Sequence, residues 1–334
     1  MVAISEIDKY AIQAYEAIHG PTLNLGDISK IKVEDIPQHD LFTYSFPCQD
    51  LSVAGKQAGL GKGTRSGLLY ECEKIIEHWR PKYLLMENVK NLVGKKFRPQ
   101  FYEWLRYLKS LGYTNYAQVL NAKDYGVPQN RERVFVVSIL GEHKPYEFPE
   151  PIKLDKCIAD ILEDEVDEKY YIKYNKPLPN LDFSKDIIGR LEISDYDLNN
   201  RLYGPGSCGF TIRAKMPDQK ILELPCIAAS RGRNPENPSD RTTGTPTEQR
   251  LEFNTKGTSN TITTVQKDNY VVERTYRIRK LTPRECFRLM GMREDDIDKI
   301  QQAGISNTQQ YKMAGNSICV PVLEGIFRNL FIKK

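Results

Sequence analysis

Residues 41–49 read LFTYSFPCQ, a short apolar run with strand character that leads directly into a Pro-Cys-Gln triplet. A second run of this kind, Tyr83–Met86, leads into the triplet Glu-Asn-Val at residues 87–89. Through the first part of the chain, strand-like runs alternate with stretches of helical apolar spacing. Such alternation predicts a doubly wound, mostly parallel α/β sheet with functional side chains at the carboxyl ends of its strands. Cys48 and Glu87 both follow such runs.

The same pattern predicts the positions of the main elements. Strands are expected at residues 2–6, 40–45, 83–86, 116–120 and 133–140, and helices at residues 10–18, 67–79, 98–111 and 320–331. A further helix is expected to begin after Thr282, because Thr282 suits the N-cap, Pro283 suits the first turn, and Glu285 can close a capping box.

Composition excludes several classes of protein. The chain has 334 residues, a net charge of only +4, seven cysteines and four histidines. No apolar stretch approaches the roughly 18 residues of a membrane span, and no signal-peptide pattern opens the sequence. The cysteines form no Cys-x-x-Cys pair and the histidines do not cluster with them, which argues against a metal site and for a reducing compartment.

The texture of the sequence changes near Lys144, where proline, glycine, asparagine and charged residues become frequent. The segment with this composition, residues 144–275, is too long to be a connector. We therefore predict a catalytic domain at residues 1–143, a second, smaller, loop-rich domain at residues 144–275, and a return to the first domain at residues 276–334.

Four sequence blocks follow one another in a fixed order. After Pro47-Cys48-Gln49 and the Glu87 triplet come residues 129–133, QNRER, and later Gly315-Asn316-Ser317. A cysteine after a strand is usually a small buried hydrophobe, but the combination of blocks favours a functional thiol. Together the blocks resemble the DNA cytosine-5 methyltransferases of bacteria and phages.

The resemblance implies a catalytic role for four residues. Cys48 would add as a thiolate to C6 of a cytosine, and Glu87 would act as an acid near ring N3. Arg133 would lie against the cytosine O2, and Arg131 would help to order the site. The target base would be rotated out of the duplex, since the thiol cannot reach C6 inside the base stack.

S-adenosylmethionine is the cofactor that the resemblance implies. Glu6 would accept hydrogen bonds from the ribose hydroxyls, and Asp27 would read the adenine amino group. The remaining residues that match cofactor-binding positions are Ile7, Ile28, Pro47, Leu68, Asn316 and Ser317.

Two regions are expected to contact duplex DNA. The glycine-rich, basic segment at residues 50–67 lacks the spacing of a phosphate-binding P-loop, and in the family it closes over DNA. The middle domain would be the target-recognition domain, although its polar, arginine-bearing loops would by themselves also suit a solvated region. The DNA-contacting residues implied are Gln49, Ser52, Lys56, Arg65, Arg231, Arg233 and Thr263. A monomer on DNA, in the cytoplasm of a bacterial or phage-infected cell, is expected.

One departure from the family leaves alternatives open. The family begins with a strand and a Phe-x-Gly-x-Gly turn that holds the cofactor, whereas this sequence opens at the position of the second strand. A late start site is the favoured explanation, and the chain alone is then expected to bind S-adenosylmethionine weakly. The alternatives are a companion polypeptide that supplies the strand, a DNA-binding homologue without catalysis, and an RNA cytosine-5 methyltransferase of the same fold.

Overall fold

The computed structural model divides the chain into two compact units. The first comprises residues 1–121, 132–150 and 324–334, and the second comprises residues 122–131 and 151–323. The structure describes residues 1–46, 68–156, 158–172, 189–193, 198–202, 226–233, 235, 248–253, 269–272 and 278–332.

A four-stranded sheet organises the first unit. Its strands are β1 (Leu41–Tyr44), β2 (Tyr83–Val89), β3 (Tyr113–Asn121) and β4 (Glu132–Leu140), in the order β1-β2-β4-β3. β1 and β2 pair in parallel, whereas β4 pairs antiparallel with both β2 and β3. Three of these strands therefore run in one direction and β4 runs against them. The short connection at residues 122–131 explains the reversal, since a parallel crossover needs a longer segment. The predicted mixed α/β fold with a mostly parallel sheet is confirmed.

The predicted helices of this unit are confirmed, with ends shifted by at most two residues. They are α1 (Lys9–His19), α2 (Leu69–Trp79) and α3 (Arg98–Ser110). α2 and α3 pack apolar side chains against the sheet, and Trp104 of α3 donates a hydrogen bond to the hydroxyl of Tyr44 over 3.1 Å. The core includes Tyr44, Phe46, Leu69, Cys72, Ile76, Leu84, Met86, Leu92, Phe97, Phe101, Trp104, Leu108, Val134 and Val136.

The strand expected at residues 2–6 does not form. Ile4 makes an isolated parallel bridge to Asn24, with backbone bonds to Leu23 and Leu25 of 2.9 and 2.8 Å. Beyond Ile4 the ladder stops, because the backbone N–H of Glu6 donates to the side chain of Asn24 instead of to a neighbouring carbonyl. A side-chain amide thus replaces the backbone partner that would have extended the strand.

The second unit contains short strands in the described part of the middle region. They are β5 (Tyr171–Ile172), β6 (Gly189–Ile193), β7 (Leu198–Leu202), β8 (Cys226–Arg233), β9 (Glu248–Phe253), β10 (Asn269–Val272) and β11 (Ile278–Lys280). β6 and β7 form a hairpin, and the others form an antiparallel sheet in the order β5-β11-β10-β8-β9.

Four helices follow these strands: α4 (Pro283–Arg288), α5 (Glu294–Gln302), α6 (Asn307–Asn316) and α7 (Val320–Phe331). The capping box at the start of α4 is present as predicted, with Thr282 as the N-cap. α5 and α6 were not predicted. The mostly polar α6 gives a weak periodic signal, and the short, acidic α5 contains only two apolar residues, Ile297 and Ile300. In the described part of the chain, no helix is long and apolar enough to cross a membrane.

Candidate active site

The centre of the predicted site is an ion pair between Glu87 and Arg133. β2 and β4 are antiparallel, with Glu87 opposite Phe135 and Arg133 opposite Val89. Because side chains alternate along a strand, these diagonal partners lie on the same face of the sheet. The Arg133 Nε lies 3.1 Å from the Glu87 Oε1, and the two side chains are only 17% and 12% exposed. The sequence placed Glu87 just after a strand, whereas pairing with β4 extends β2 through Val89.

The segment that follows β1 is held beside this pair by hydrogen bonds. The hydroxyl of Ser45 donates to the Glu87 Oε2 over 3.3 Å. The side-chain amide of Asn88 donates to the carbonyl of Phe46 over 3.1 Å and accepts from the backbone N–H of Val89. Asn88 is buried, so this contact is protected from water. The chain that leads to Cys48 is thereby tied to the strand that carries Glu87.

Arg131 has a different environment from Arg133, although only Glu132 separates them. Its guanidinium donates to the carbonyls of Gly315 and Ser317, at 3.0 and 2.8 Å. These carbonyls lie at the carboxyl end of α6, where a cation is favoured by the helix dipole and the unpaired carbonyl groups. Buried Gln129 similarly donates to the carbonyl of Leu289. The structure thus brings the Gln-Asn-Arg segment against the backbone on either side of Asn316.

The residues expected at the adenosine end of the cofactor form a second group. Glu6 and Asp27 lie just beyond the bridge between Ile4 and Asn24, on parallel neighbouring segments. The Glu6 Oε1 accepts from the backbone N–H groups of Ile7 and Asp8, both at 2.8 Å. Asp27 accepts from the backbone and hydroxyl of Ser29, and these bonds hold its pKa below the ordinary value.

Asn24 is the residue that aligns these two segments, and sequence reasoning missed it. Its side chain accepts from the backbone N–H groups of Glu6 and Gly26 and donates to the carbonyl of Glu6. The residue types around it fit an adenosine group, since carboxylates accept from hydroxyl and amino groups and the exposed, apolar Ile7 can face a ring. The signal in the sequence was slight: a polar residue between Leu23 and Leu25.

The other predicted site residues divide into those that the structure describes and those that it does not. Ile28 is partly buried against the core, Leu68 directly precedes α2, and Arg231 and Arg233 lie in β8, opposite Arg250 and Glu248 of β9. The second set lies outside the described residues: Pro47, Cys48, Gln49, Ser52, Lys56, Arg65 and Thr263.

Cys72, Cys286 and Cys319 are buried and are poor nucleophiles. Burial raises the pKa of the Cys72 and Cys319 thiols to about 12 and that of Cys286 well above its ordinary value. Thiols of this kind stay protonated at neutral pH and are inert. In the described part of the chain there is also no cluster of histidine, cysteine and carboxylate side chains that could hold a metal ion.

Comparison with known proteins places this geometry in a family. Residues 1–332 match the family described as C-5 cytosine-specific DNA methylase. The chain is 42% identical over 310 residues to the type II methyltransferase M2.ScrFI of Lactococcus lactis subsp. cremoris, covering 92% of this chain and 71% of the relative. It is 31% identical over 415 residues to the orphan methyltransferase M.SPBetaI of Bacillus phage SPbeta, covering 99% and 91% of the two chains.

Solved structures support the fold. The Entamoeba histolytica methyltransferase EhMeth superposes with a TM-score of 0.64 at 16% identity, covering 99% of this chain and 90% of that chain. A prophage-encoded DNA modification methyltransferase from E. coli gives 0.60 at 20% identity, covering 99% and 92%. The family's description implies DNA as the substrate, and the family and the fold imply S-adenosylmethionine as the methyl donor. The chain therefore belongs to the C-5 cytosine-specific DNA methylases and is a DNA cytosine methyltransferase.

Proposed function

We propose that Cys48, Glu87 and Arg133 carry out the methylation on a cytosine rotated out of duplex DNA. The observation that carries this proposal is the Glu87–Arg133 pair, together with the bond by which Asn88 fastens the exit of β1. Cys48 is two residues after Phe46 in the sequence. Because Asn88 holds the carbonyl of Phe46, that bond limits how far Cys48 can lie from the strand that carries Glu87. The inert state of Cys72, Cys286 and Cys319 also favours Cys48 as the nucleophile.

The reaction needs a nucleophilic carbon at C5, which cytosine does not have on its own. The Cys48 thiolate forms a bond to C6, and the π electrons of the C5–C6 bond move towards C5. Glu87 interacts with N3 and Arg133 donates to O2, so the charge that develops on the ring is stabilised. S-adenosylmethionine, when bound, would supply an electrophilic methyl group: C5 would bond to that methyl carbon as the carbon–sulfur bond breaks, which leaves S-adenosylhomocysteine. A base then removes the C5 proton, the double bond re-forms, and the thiolate leaves.

The ion pair holds both side chains in position before the base binds. Side chains that are largely buried lose little freedom when the base arrives, because their positions are already fixed by each other. The Glu87 oxygens are held by an arginine and a hydroxyl, and these side-chain contacts can be exchanged for contacts with a ring. Arg131 acts at a distance from the ring, by holding the backbone around Asn316.

The cofactor contacts follow the grouping in the structure. Glu6 would receive the ribose hydroxyls and Asp27 the adenine amino group, with Ile7 and Ile28 against the ring. Pro47, Leu68, Asn316 and Ser317 complete the set by resemblance. Calorimetric titration with S-adenosylhomocysteine is expected to show weaker binding by the Glu6→Ala variant, and equal binding would exclude this role for Glu6.

The recognition part of the proposal concerns the middle region. Residues 144–275 would form the target-recognition domain, with Arg231, Arg233 and Thr263 among its DNA contacts, and residues 50–67 would close over DNA through Gln49, Ser52, Lys56 and Arg65. The catalytic domain would comprise residues 1–143 and 276–334. The protein would act as a monomer in the cytoplasm of a bacterial or phage-infected cell, as the sources of its relatives suggest.

Trapping on modified DNA tests the chemistry. A fluorine at C5 of the target cytosine cannot be removed as a proton is, so the adduct with C6 persists once the methyl group has been transferred. With cofactor present, the protein should form a denaturant-resistant complex with 5-fluorocytosine duplex DNA, and Cys48→Ala should form none. Trapping by Cys48→Ala, or methylation of ordinary DNA by that variant, would overturn the assignment. Trapping on RNA alone would assign the substrate to the rival class.

A further inference from the structure

A basic turn directly follows the strand that carries Glu87. Residues 90–98 read KNLVGKKFR and contain four cations and no acid. We call this segment the basic turn. It consists of a short 3₁₀ helix at Lys90–Val93, a reversal at Gly94, and the first residue of α3.

The turn is rigid. Leu92 and Phe97 are buried in the core of the first unit, one on each side of Gly94. The carbonyl of Gly94 accepts from the backbone N–H of Arg98 over 2.9 Å, and the Arg98 Nε donates to the carbonyl of Val93 over 3.2 Å. A charged surface on such a base keeps its geometry when a ligand binds, so little ordering entropy is lost.

The charges of the turn are exposed. Lys90 is matched by Glu132, whose two carboxylate oxygens accept from its ammonium group at 2.8 and 2.9 Å. Lys95, Lys96 and Arg98 are solvent-exposed, and the Lys96 ammonium lies 5.4 Å from the centre of the Phe97 ring. Among the described residues, Lys95 and Arg98 have no carboxylate partner. Lys95 and Arg98 therefore present positive charge that no carboxylate in the described part of the protein neutralises.

The turn lies at the edge of the sheet where the catalytic pair lies. It begins after Val89, which is opposite Arg133 in the pairing of β2 with β4. The bond between Lys90 and Glu132, the residue before Arg133, fixes the start of the turn at that edge. A flipped cytosine remains attached to its sugar–phosphate backbone, so DNA that offers a base to Glu87 also brings phosphates to this edge.

We propose that the basic turn binds backbone phosphates of the duplex near the target cytosine. This inference rests on the proposed position of the flipped base beside Glu87 and Arg133. DNA is the partner because it is the substrate and because it carries about one negative charge per 1.7 Å of helix axis. Lysines on a short turn suit phosphates as point charges and carry no base specificity, so the turn would position the duplex rather than read its sequence.

The salt dependence of binding tests the proposal. The double variant Lys95→Gln/Lys96→Gln is compared with the wild type by fluorescence anisotropy on a labelled duplex of mixed sequence, between about 50 and 200 mM salt. Each lost phosphate contact reduces the slope of log K against log salt by about 1, so a decrease of about 2 is expected. At physiological salt, Kd should rise about tenfold, because binding then releases two fewer counterions from the DNA.

A matched control lies near the carboxyl end of α3, the helix that begins at the end of the basic turn. Arg106→Gln/Lys109→Gln removes the same charge from exposed positions of α3 that are about three turns away. This pair should leave the slope within about 0.5 of the wild type, since screening weakens distant charges. An unchanged slope in the turn variant, or an equal decrease in both variants, would overturn the proposal.

Trapping separates this proposal from the one on which it rests. At low salt and saturating duplex containing 5-fluorocytosine, the turn variant should be trapped as completely as the wild type, because Glu87 and Cys48 are intact. If the wild type is not trapped, the assignment of the catalytic residues fails, whatever the slopes are. If both proteins are trapped but their slopes agree, the phosphate contact alone is wrong.

Discussion

Two regions of the molecule each contain a largely buried glutamate, and they hold it by different means. At the edge of the sheet, Glu87 is bonded by the side chains of Arg133 and Ser45. At the start of α4, Glu285 is fully buried and accepts from the backbone N–H groups of Thr282 and Glu163, at 2.8 and 3.0 Å. Backbone donors cannot leave without unfolding the segment that carries them, whereas side chains can change partners. The first arrangement suits chemistry and the second suits structure.

The largest expected effect is on catalysis at Glu87. Glu87→Gln keeps the shape and an acceptor for Arg133 but removes the acid, so kcat should fall by about 10²–10⁴. The unfolding free energy should fall by only about 1–2 kcal/mol, since one charged hydrogen bond becomes neutral. Single-turnover methylation and urea unfolding measure the two quantities. If activity falls only in proportion to the amount of folded protein, Glu87 has a structural role like that of Glu285, and the contrast between the two glutamates is wrong.

The reverse pattern is expected at Glu285. Glu285→Gln places an amide among backbone donors, and one buried N–H must lose its acceptor, which costs about 1–3 kcal/mol. The urea midpoint should shift clearly, while kcat per folded molecule stays within about twofold of the wild type. Glu294→Gln is the control, because that carboxylate is about half exposed and its loss should shift the midpoint less. A selective loss of kcat in Glu285→Gln would contradict the structural role.

The smallest effect should come from the hydroxyl that orients Glu87. Ser45→Ala removes a hydrogen bond of 3.3 Å, worth about 0.5–1.5 kcal/mol, so kcat should fall about two- to tenfold with little change in KM for DNA. Ser45→Thr should restore the rate, and Thr43→Ala, which removes an exposed hydroxyl from β1, two residues before Ser45, should have no effect. Equal rates in the wild type and Ser45→Ala would show that Arg133 alone orients the carboxylate.

Much of the fold was predictable because its signals are local. The period of apolar residues located α1, α2, α3 and α7, and the Thr-Pro-Arg-Glu sequence located the start of α4. The failures have physical reasons. The strand expected at residues 2–6 is interrupted by the side chain of Asn24, and β2 continues through polar residues because β4 supplies partners. A polar helix such as α6 gives no strong periodic signal.

The sequence by itself determined the class of fold, the order of the catalytic blocks and the family. Tertiary structure alone decided that Arg133 meets Glu87 while Arg131 meets the end of α6, although both arginines belong to one short motif. It also revealed Ser45, Asn24 and the position of the basic turn. The reason is that local sequence sets backbone propensity and burial, whereas the partner of a polar group depends on which distant segment the register of the sheet brings within hydrogen-bonding distance.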